Sequence, residues 1–380
     1  MRRRVALLAL FVAVALAAAP PSSTADPPRV QARSVIVADA AGEILYEEHA
    51  ARRLAMASLT KIMTALVTLE NTRPNTVVKV GALAPEIGES TFNLRVGERL
   101  SVRELLTAAL VQSANDAAYA LATYVGHGKV GAFVRLMNEH ARGLGLDDTH
   151  YVRPDGLDAT GQYSSARDTL TLARAAMKNA VFQRIVRIRG GVVAGRQLYV
   201  WNDLLKTYPG AIGVKTGHTD RAGWSEVAAA RREGITLYAV VLGGPSRTRR
   251  NHDLAALLDW GFGHYGLVRL VAAGRTYTTA AIPFSDSRLP LVAARGSSEV
   301  VRLGRPLVER VIAPAEVDPP VSLGQPLGEV RVYDGTRLIA RRPLVAAFAV
   351  EDPGLAHRVG WYADHALDEA RDMLASLSPL

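Results

Sequence analysis

Cysteine is absent from this chain of 380 residues, and lysine is scarce. The absence of cysteine excludes disulfide bonds, thiolate metal ligands and a cysteine nucleophile. The nine histidines include no pair at i, i+4 spacing, so the sequence lacks the helical ligand pair of a zinc peptidase. Basic charge is carried by 39 arginines and only six lysines, so a lysine within a chemical motif is informative.

The chain also has no leading apolar run of transmembrane length. Val5–Ala19 is apolar throughout but has only 15 residues, fewer than the ~20 that a spanning helix needs. Arg2–Arg4 precede this run and the small residues Ser23–Ala25 follow it, which is typical of a secretory signal peptide. We therefore predict a signal peptide at 1–25, with an uncleaved anchor as the alternative, and a Pro-rich linker at 26–32.

The formal net charge is +9, and it falls to +6 when the three arginines of the signal peptide are removed. A basic, exported protein suits an acidic wall polymer or an anionic lipid surface. Nucleic acid is the competing class of partner. The arginines are dispersed, however, and export argues against such a partner, so we predict none.

Three short motifs carry the chemical information: Ser58-Leu59-Thr60-Lys61, Ser113-Ala114-Asn115 and Lys215-Thr216-Gly217. Alone, each has an ordinary explanation, respectively a helix N-cap before a solvated lysine, a polar loop, and a strand that ends at a glycine turn. Random placement would give all three together with a probability of roughly 0.3%. Together they indicate a serine acyl-transferase that moves protons with lysine.

The spacing within the first motif fits this chemistry. Apolar residues at helical spacing predict a helix that opens at Ser58 and stops at Thr72-Arg73-Pro74. Lys61 then lies one turn from Ser58 on the same face, with its amine within reach of the hydroxyl. A lysine base must be neutral, so its pKa has to fall from ~10.4 to ~7 through burial and a nearby cation, for which we expect Lys215.

With their flanking residues, the motifs resemble those of the low-molecular-mass penicillin-binding D-alanyl-D-alanine carboxypeptidases. The resemblance runs from about Arg33 to Phe348 and includes Pro154-Asp155-Gly156-Leu157 between the second and third motifs. Three positions depart from the family pattern. They are Ala114 for a frequent glycine, Arg153 for a frequent asparagine, and Glu226 in a stretch that is usually less acidic.

The resemblance implies a role for each motif residue. Ser58 would attack the carbonyl of the terminal D-Ala-D-Ala bond, Lys61 would be the base, and Ser113 would relay a proton to the leaving D-alanine. The substrate-binding residues would be Asn115, Lys215, Thr216, Gly217 and His218. The backbone N–H groups of Ser58 and His218 would form the oxyanion hole.

The resemblance also implies the partners and the compartment. The substrate would be the peptidoglycan stem peptide, and β-lactam antibiotics would be covalent inhibitors of the same serine. Neither a cofactor nor a metal is implied. The enzyme would work on the outer face of the cell membrane, in the periplasmic space or cell wall.

The implied fold is an α/β domain of the transpeptidase/β-lactamase type, an antiparallel sheet with a helical subdomain, over 33–266. Sequence patterns agree with strands at both ends and helices between them. We predict a hairpin at 34–46, strands at 198–200, 225–230 and 235–242, helices that include 102–125 and 130–144, and a closing helix at 253–262.

The hydrophobic pattern of the sequence changes near residue 267, where short alternating runs bounded by Gly and Pro replace helical periodicity. We predict a small all-β sandwich at 267–350, with a hairpin at Asp334-Gly335. The tail at 351–380 is amphipathic over 355–377. Because the segment 355–377 has a net charge of −2, membrane contact and packing on its own protein are equal alternatives.

Three competing functions use or mimic the same motifs. A class A β-lactamase needs a glutamate that activates water, and no glutamate occurs between Ala141 and Ser225. A DD-transpeptidase or DD-endopeptidase remains an alternative, because the motifs do not specify the acyl acceptor. A non-catalytic wall-binding module would be expected to lack Ser58 or Lys61, and both are present.

Overall fold

A computed structural model describes residues 13–17 and 26–376. The chain divides between Gly263 and His264 into two units, of which the first contains all three motifs. Most of the predicted signal peptide lies outside the described residues. Its described part forms strand β1 (Ala13–Ala17), which belongs to the second unit.

The described part of the first unit, from residue 26 onward, contains nine strands, two 3₁₀ helices and eight α-helices. The strands are β2 (Ser34–Asp39), β3 (Ile44–Glu48), β4 (Val77–Lys79), β5 (Arg99–Ser101), β6 (Val192–Val193), β7 (Arg196–Gln197), β8 (Ala211–Thr219), β9 (Gly223–Arg232) and β10 (Ile235–Gly244). The 3₁₀ helices are Ala57–Thr60 and Ala84–Glu86. The α-helices are α1 (Lys61–Asn71), α2 (Val102–Val111), α3 (Asn115–Val125), α4 (Val130–Gly143), α5 (Ala166–Ala176), α6 (Ala180–Val186), α7 (Leu204–Thr207) and α8 (Arg247–Phe262).

The main sheet is antiparallel, with strand order β3-β2-β10-β9-β8, so it joins the two ends of the unit as predicted. The predicted hairpin of β2 and β3 is confirmed. The central strands β9 and β10 are buried through most of their length, because helices cover the sheet. Strand β8 forms an edge of this sheet and carries the third motif.

Three sequence expectations about elements were wrong in detail. The helix predicted at 102–125 is interrupted at Gln112–Ala114, where Ser113 adopts a left-handed backbone with φ of 66°. The strand predicted at 198–200 does not form, since the N–H of Tyr199 bonds to a glutamine side chain instead of a neighbouring strand. Helix α8 begins six residues earlier than predicted, because Ser246 caps a polar first turn that lacks apolar periodicity.

The second unit is an all-β region followed by one helix. Its strands after β1 are β11 (Tyr265–Val271), β12 (Thr276–Ala281), β13 (Arg288–Ala293), β14 (Ser297–Arg302), β15 (Pro306–Ile312), β16 (Pro326–Asp334) and β17 (Arg337–Ala346). They form a six-stranded sheet, β1-β15-β16-β17-β13-β12, and a separate β11–β14 pair. The hairpin predicted at Asp334-Gly335 is confirmed by the β16–β17 pairing.

Helix α9 (Gly354–Ser376) follows the strands and matches the predicted amphipathic tail. Several of its apolar side chains are exposed, including Leu355 and Val359. Of the helices in the described ranges, α9 included, none combines the length and the apolar character needed to cross a membrane.

Candidate active site

Ser58 lies in a 3₁₀ turn, Ala57–Thr60, directly before the α-helix. The α-helix itself begins at Lys61, three residues later than predicted. Ala57 has a positive φ of 48°, and the hydroxyl of Thr60 donates to its carbonyl at 2.9 Å. Gly156 packs against the same carbonyl so closely that a Cβ there would lie 2.0 Å from the oxygen. The nucleophile turn is thus fixed by contacts from both sides.

Lys61 is fully buried beneath this turn, and its amine has three polar neighbours. The Nζ atom lies 2.8 Å from Oγ of Ser58, 2.7 Å from Oδ1 of Asn115 and 2.6 Å from the carbonyl oxygen of Asp155. An ammonium group would donate all three bonds. A neutral amine would donate two and accept the third from the serine hydroxyl.

The environment of Lys61 favours the neutral amine. Burial lowers its pKa from 10.5 to about 8, and the charge of Arg153 acts in the same direction, against the Asp155 carboxylate. Arg153 and Asp155 form an ion pair with 2.6 Å between Nε and Oδ1, so the two effects largely offset each other. Arg153, a departure from the family pattern, therefore belongs to the electrostatics of the base.

The second motif brings another hydroxyl to another buried lysine. The Nζ atom of Lys215 donates to Oγ of Ser113 at 2.9 Å and to the carbonyl of Thr216 at 2.8 Å. Burial, and then the charge of Lys61, lower the pKa of Lys215 well below its ordinary value. The repulsion between the two lysines is mutual, so the expectation that Lys215 lowers the pKa of Lys61 stays a prediction, and Arg153 is a further cation that acts in the same direction.

Asn115 joins the base to a loop at the cleft. Its Oδ1 accepts from Lys61, its Nδ2 donates to the carbonyl of Gly88 at 3.0 Å, and its backbone N–H donates to the carbonyl of Ser90 at 2.7 Å. The neighbouring Asp116 is buried and accepts backbone N–H bonds from Phe92 and Leu94. The loop is therefore anchored to the start of α3 at several points.

Strand β8 runs against the nucleophile turn. A Cβ on Gly217 would lie 3.0 Å from the backbone nitrogen of Ser58, so glycine allows the strand to come this close. The next residue, His218, is exposed, and its ring lies over Trp224 with 4.0 Å between ring centroids. Strand β8 therefore lies directly against the backbone nitrogen of Ser58.

One cleft unites these groups, with a volume of about 210 Å³. Six of the eight predicted site residues line it: Ser58, Ser113, Asn115, Thr216, Gly217 and His218. The two lysines, Lys61 and Lys215, lie behind the lining and reach it through the hydroxyls of Ser58 and Ser113.

The cleft also includes residues that sequence reasoning missed. They are Glu89, Ser90, Leu157, Trp201, Trp224 and Arg250. Arg250 comes from α8, far along the chain from every motif, and contacts the buried Glu226 of β9. Among 39 arginines, nothing in the sequence distinguished this one, although the acidic character of Glu226 was a signal. In the described ranges, no group of three or more His, Asp and Glu side chains is placed to hold a metal ion.

Comparison with known proteins gives a family match and several relatives. The family model for D-alanyl-D-alanine carboxypeptidase matches residues 21–246. The D-alanyl-D-alanine carboxypeptidase DacD of Salmonella typhimurium is 31% identical over 384 residues, which cover 94% of this chain and 96% of the relative.

Two solved structures are similar to the chain. Penicillin binding protein 5 from Haemophilus influenzae has a TM-score of 0.63 at 27% identity, over 86% of this chain and 100% of its own. The Streptomyces K15 DD-transpeptidase has a TM-score of 0.60 at 33% identity, over 63% of this chain and 99% of its own. These matches confirm the predicted fold class.

Proposed function

The chain belongs to the D-alanyl-D-alanine carboxypeptidase family, and we propose that it removes the terminal D-alanine from the peptidoglycan stem peptide through an acyl-enzyme on Ser58. The observation that carries this proposal is the set of short contacts between Ser58, Lys61 and Asn115, together with the contact between Ser113 and Lys215. They supply a nucleophile, a base and a proton relay around one cleft.

Acylation begins with Lys61 as a neutral amine. The amine donates to Asn115 and to the Asp155 carbonyl, and its lone pair accepts the hydroxyl proton of Ser58. As Lys61 takes this proton, Oγ of Ser58 attacks the carbonyl carbon of the penultimate D-alanine. The backbone N–H groups of Ser58 and His218 stabilise the charge that develops on the carbonyl oxygen.

The leaving D-alanine needs a proton on its nitrogen as the C–N bond breaks. Ser113 gives its hydroxyl proton, and the Lys215 ammonium, which already donates to Oγ of Ser113, replaces it. The proton gained by Lys61 is thus balanced by the proton that Lys215 releases. A water molecule then attacks the ester carbonyl, and its proton passes through Ser113 to the neutral Lys215 amine. Lys61 returns its proton to Oγ of Ser58 as the ester C–O bond breaks, so the shortened peptide leaves as a carboxylic acid and both lysines regain their starting states.

The free C-terminal carboxylate of the substrate is what a carboxypeptidase has to recognise. Thr216 and Arg250 both line the cleft, and Lys215 lies directly behind Thr216. A hydroxyl and a guanidinium are suitable donors for a carboxylate, and the buried ammonium adds positive charge. We assign carboxylate binding to this end of the cleft.

The same arrangement accounts for the related alternatives. β-Lactam antibiotics would acylate Ser58, because the strained amide would occupy the place of the scissile bond. A DD-transpeptidase would form the same acyl-enzyme and differ only in its acceptor, an amine in place of water. One structural neighbour is a DD-transpeptidase, so the acceptor has to be measured.

Export and domain organisation complete the proposal. Residues 1–25 act as the signal peptide, 33–266 as the catalytic domain and 267–350 as a β-domain that contacts partners or acts as a spacer. The exposed face of α9 contacts the membrane surface, which we infer from four large side chains that are at least 60% exposed: Leu355, Val359, Tyr362 and Leu367. The helix also packs on the β-region, where the rings of Trp361 and Tyr362 lie 5.9 and 5.5 Å from that of Phe284.

The decisive experiment measures free D-alanine released from a synthetic peptide that ends in D-Ala-D-Ala. We expect release by the wild-type protein and none by the Ser58→Ala variant. Adding an amine acceptor to the same assay separates hydrolysis from transpeptidation. A folded wild-type protein that neither releases D-alanine nor transfers the acyl group would refute the proposal.

A further inference from the structure

A buried carboxylate lies next to the cleft and has no part in the steps above. Glu226 in β9 is 0% exposed. Neither of its oxygens has a hydrogen-bond donor within the part of the chain that the structure describes. Its ion-pair contact is with Arg250, whose Nε lies 2.9 Å from Oε2. A buried ion pair with few other hydrogen bonds adds little to stability, so a functional role is a reasonable explanation for Glu226.

Glu226 is also placed opposite a substrate-binding residue. In the antiparallel pairing of β8 and β9, Glu226 is the register partner of Thr216. Paired residues in a sheet present their side chains on the same face. Both Thr216 and Arg250 line the cleft, so the carboxylate lies beside the two groups assigned to the substrate carboxylate.

The guanidinium of Arg250 is held along one edge. Its Nε and Nη2 donate to Oδ1 of Asn251 at 3.1 and 2.7 Å, and Nη2 lies 3.9 Å from Oδ2 of Asp203. Nη1 makes none of the hydrogen bonds found among residues 26–376. The guanidinium group is thus fixed through Nε and Nη2, and Nη1 can donate to an anion.

We propose that Glu226 is a positioning residue, which holds Arg250 in the orientation that receives the C-terminal carboxylate and so sets the preference for substrates with a free carboxylate. This inference rests on the proposed carboxypeptidase function. The inference assigns recognition of the substrate terminus to two charged residues, Arg250 in the cleft wall and Glu226 behind it.

Several charges act on Glu226, and together with burial they determine the pH range in which the ion pair between Glu226 and Arg250 exists. Burial is the largest effect and raises the pKa of Glu226 to about 7. Arg250, Lys215 and Arg247 favour the charged carboxylate, whereas Asp203 opposes it. Below pH 7 the carboxyl group becomes neutral and its ionic attraction for Arg250 is lost. The substrate carboxylate, with a pKa of ~3.5, keeps its charge over the same range.

The test uses two peptides that differ only at the terminus, one ending in D-Ala-D-Ala and the other in D-Ala-D-alaninamide. We would measure kcat and KM for each peptide with wild type, Glu226→Gln and the matched control Glu309→Gln. Glu309 is also buried, at 2% exposure, and is paired with Arg275 in the second unit. The ratio of kcat/KM for acid over amide cancels the contribution of Lys61, because the same base acts on both peptides.

We expect Glu226→Gln to lower this ratio about tenfold, mainly through a higher KM for the acid peptide, with the amide peptide unchanged. In the wild type the ratio should fall as the pH is lowered from 8 to 6, and in Glu226→Gln it should stay constant. The control variant should behave like the wild type in both respects.

Two outcomes would overturn the inference. One is an equal loss on both peptides, which would indicate a structural role. The other is a wild-type ratio that does not change between pH 6 and 8, a result that needs no variant to fold. D-alanine release that is lost in Ser58→Ala tests the proposed function separately, so each failure can be recognised.

Discussion

The two units differ in what they bury. In the first unit the structure buries eight charged side chains: Lys61, Asp116, Asp155, Asp168, Lys215, Glu226, Arg250 and Asp253. In the described part of the second unit, Glu309 alone is buried among charged residues, and the core is otherwise apolar. Buried charge generally lowers stability. Arg250 lines the cleft, Glu226 is paired with it, and Lys61 and Lys215 contact hydroxyls of the cleft lining, so these four charges are placed where they can serve chemistry.

This comparison separates stability from activity. The core of the second unit is formed by residues such as Leu307, Val332 and Leu344, whose burial stabilises the fold in proportion to the apolar area removed from water. The first unit has a similar apolar core, to which the charged groups of the cleft are added. Substitutions in the cleft of the first unit should therefore lower activity, and substitutions in the core of the second unit should lower stability.

The largest effect is expected for Lys61→Arg, which should lower kcat for D-alanine release by about 10⁴-fold or more. Arginine does not lose its proton, so it cannot act as the base. The measurement is D-alanine release, with thermal unfolding as the control for folding. Because Lys61 is fully buried, Lys61→Met, a neutral side chain of similar length, provides a second variant. Activity retained in either folded variant would refute the lysine-base mechanism.

A smaller loss is expected for Ser113→Ala, of about 10²–10³-fold in kcat, because the leaving nitrogen loses its proton donor. The matched control is Ser297→Ala in the second unit, a buried serine whose hydroxyl accepts from Arg342 at 2.9 Å. Steady-state kinetics on one peptide would compare the two variants. If both substitutions lowered kcat equally, activity would not depend on the first unit alone, and the comparison of the two units would be wrong.

The pH dependence tests the environment of the base. The pKa of Lys61 is lowered to about 8, and the neutral amine is the active form. We therefore expect kcat/KM for the amide peptide to rise about tenfold per pH unit below 8 and to level off above it. A profile that stays flat between pH 6 and 9 would show that Lys61 is not the titrating base.

The smallest effect on activity is expected for Leu344→Ala in the core of the second unit. Leu344 is 0% exposed, so the substitution leaves a cavity and should lower the free energy of unfolding by about 2–5 kcal/mol. The value of kcat/KM per folded molecule should not change. Chemical denaturation and kinetics on the same sample provide both readings, and a kinetic loss without a loss of stability would contradict the comparison.

Local patterns allowed most of the fold to be predicted. The contact between Ser58 and Lys61 follows from their spacing of three residues, and both hairpins were predicted from alternation and turn residues. The interruption at Ser113 was missed, because a single left-handed residue leaves the apolar periodicity on either side intact. The helix start at Arg247 was missed, because its first turn is polar.

The sequence by itself determined which side chains could supply a nucleophile, a base and a proton relay, because short motifs specify their residue types. The tertiary structure alone decided the charges around them. Arg153 acts on Lys61, and Glu226 holds Arg250, through contacts between residues distant in the chain. The strength of such charge pairs depends on which side chains the packing brings together in the buried interior. Local sequence does not predict that burial.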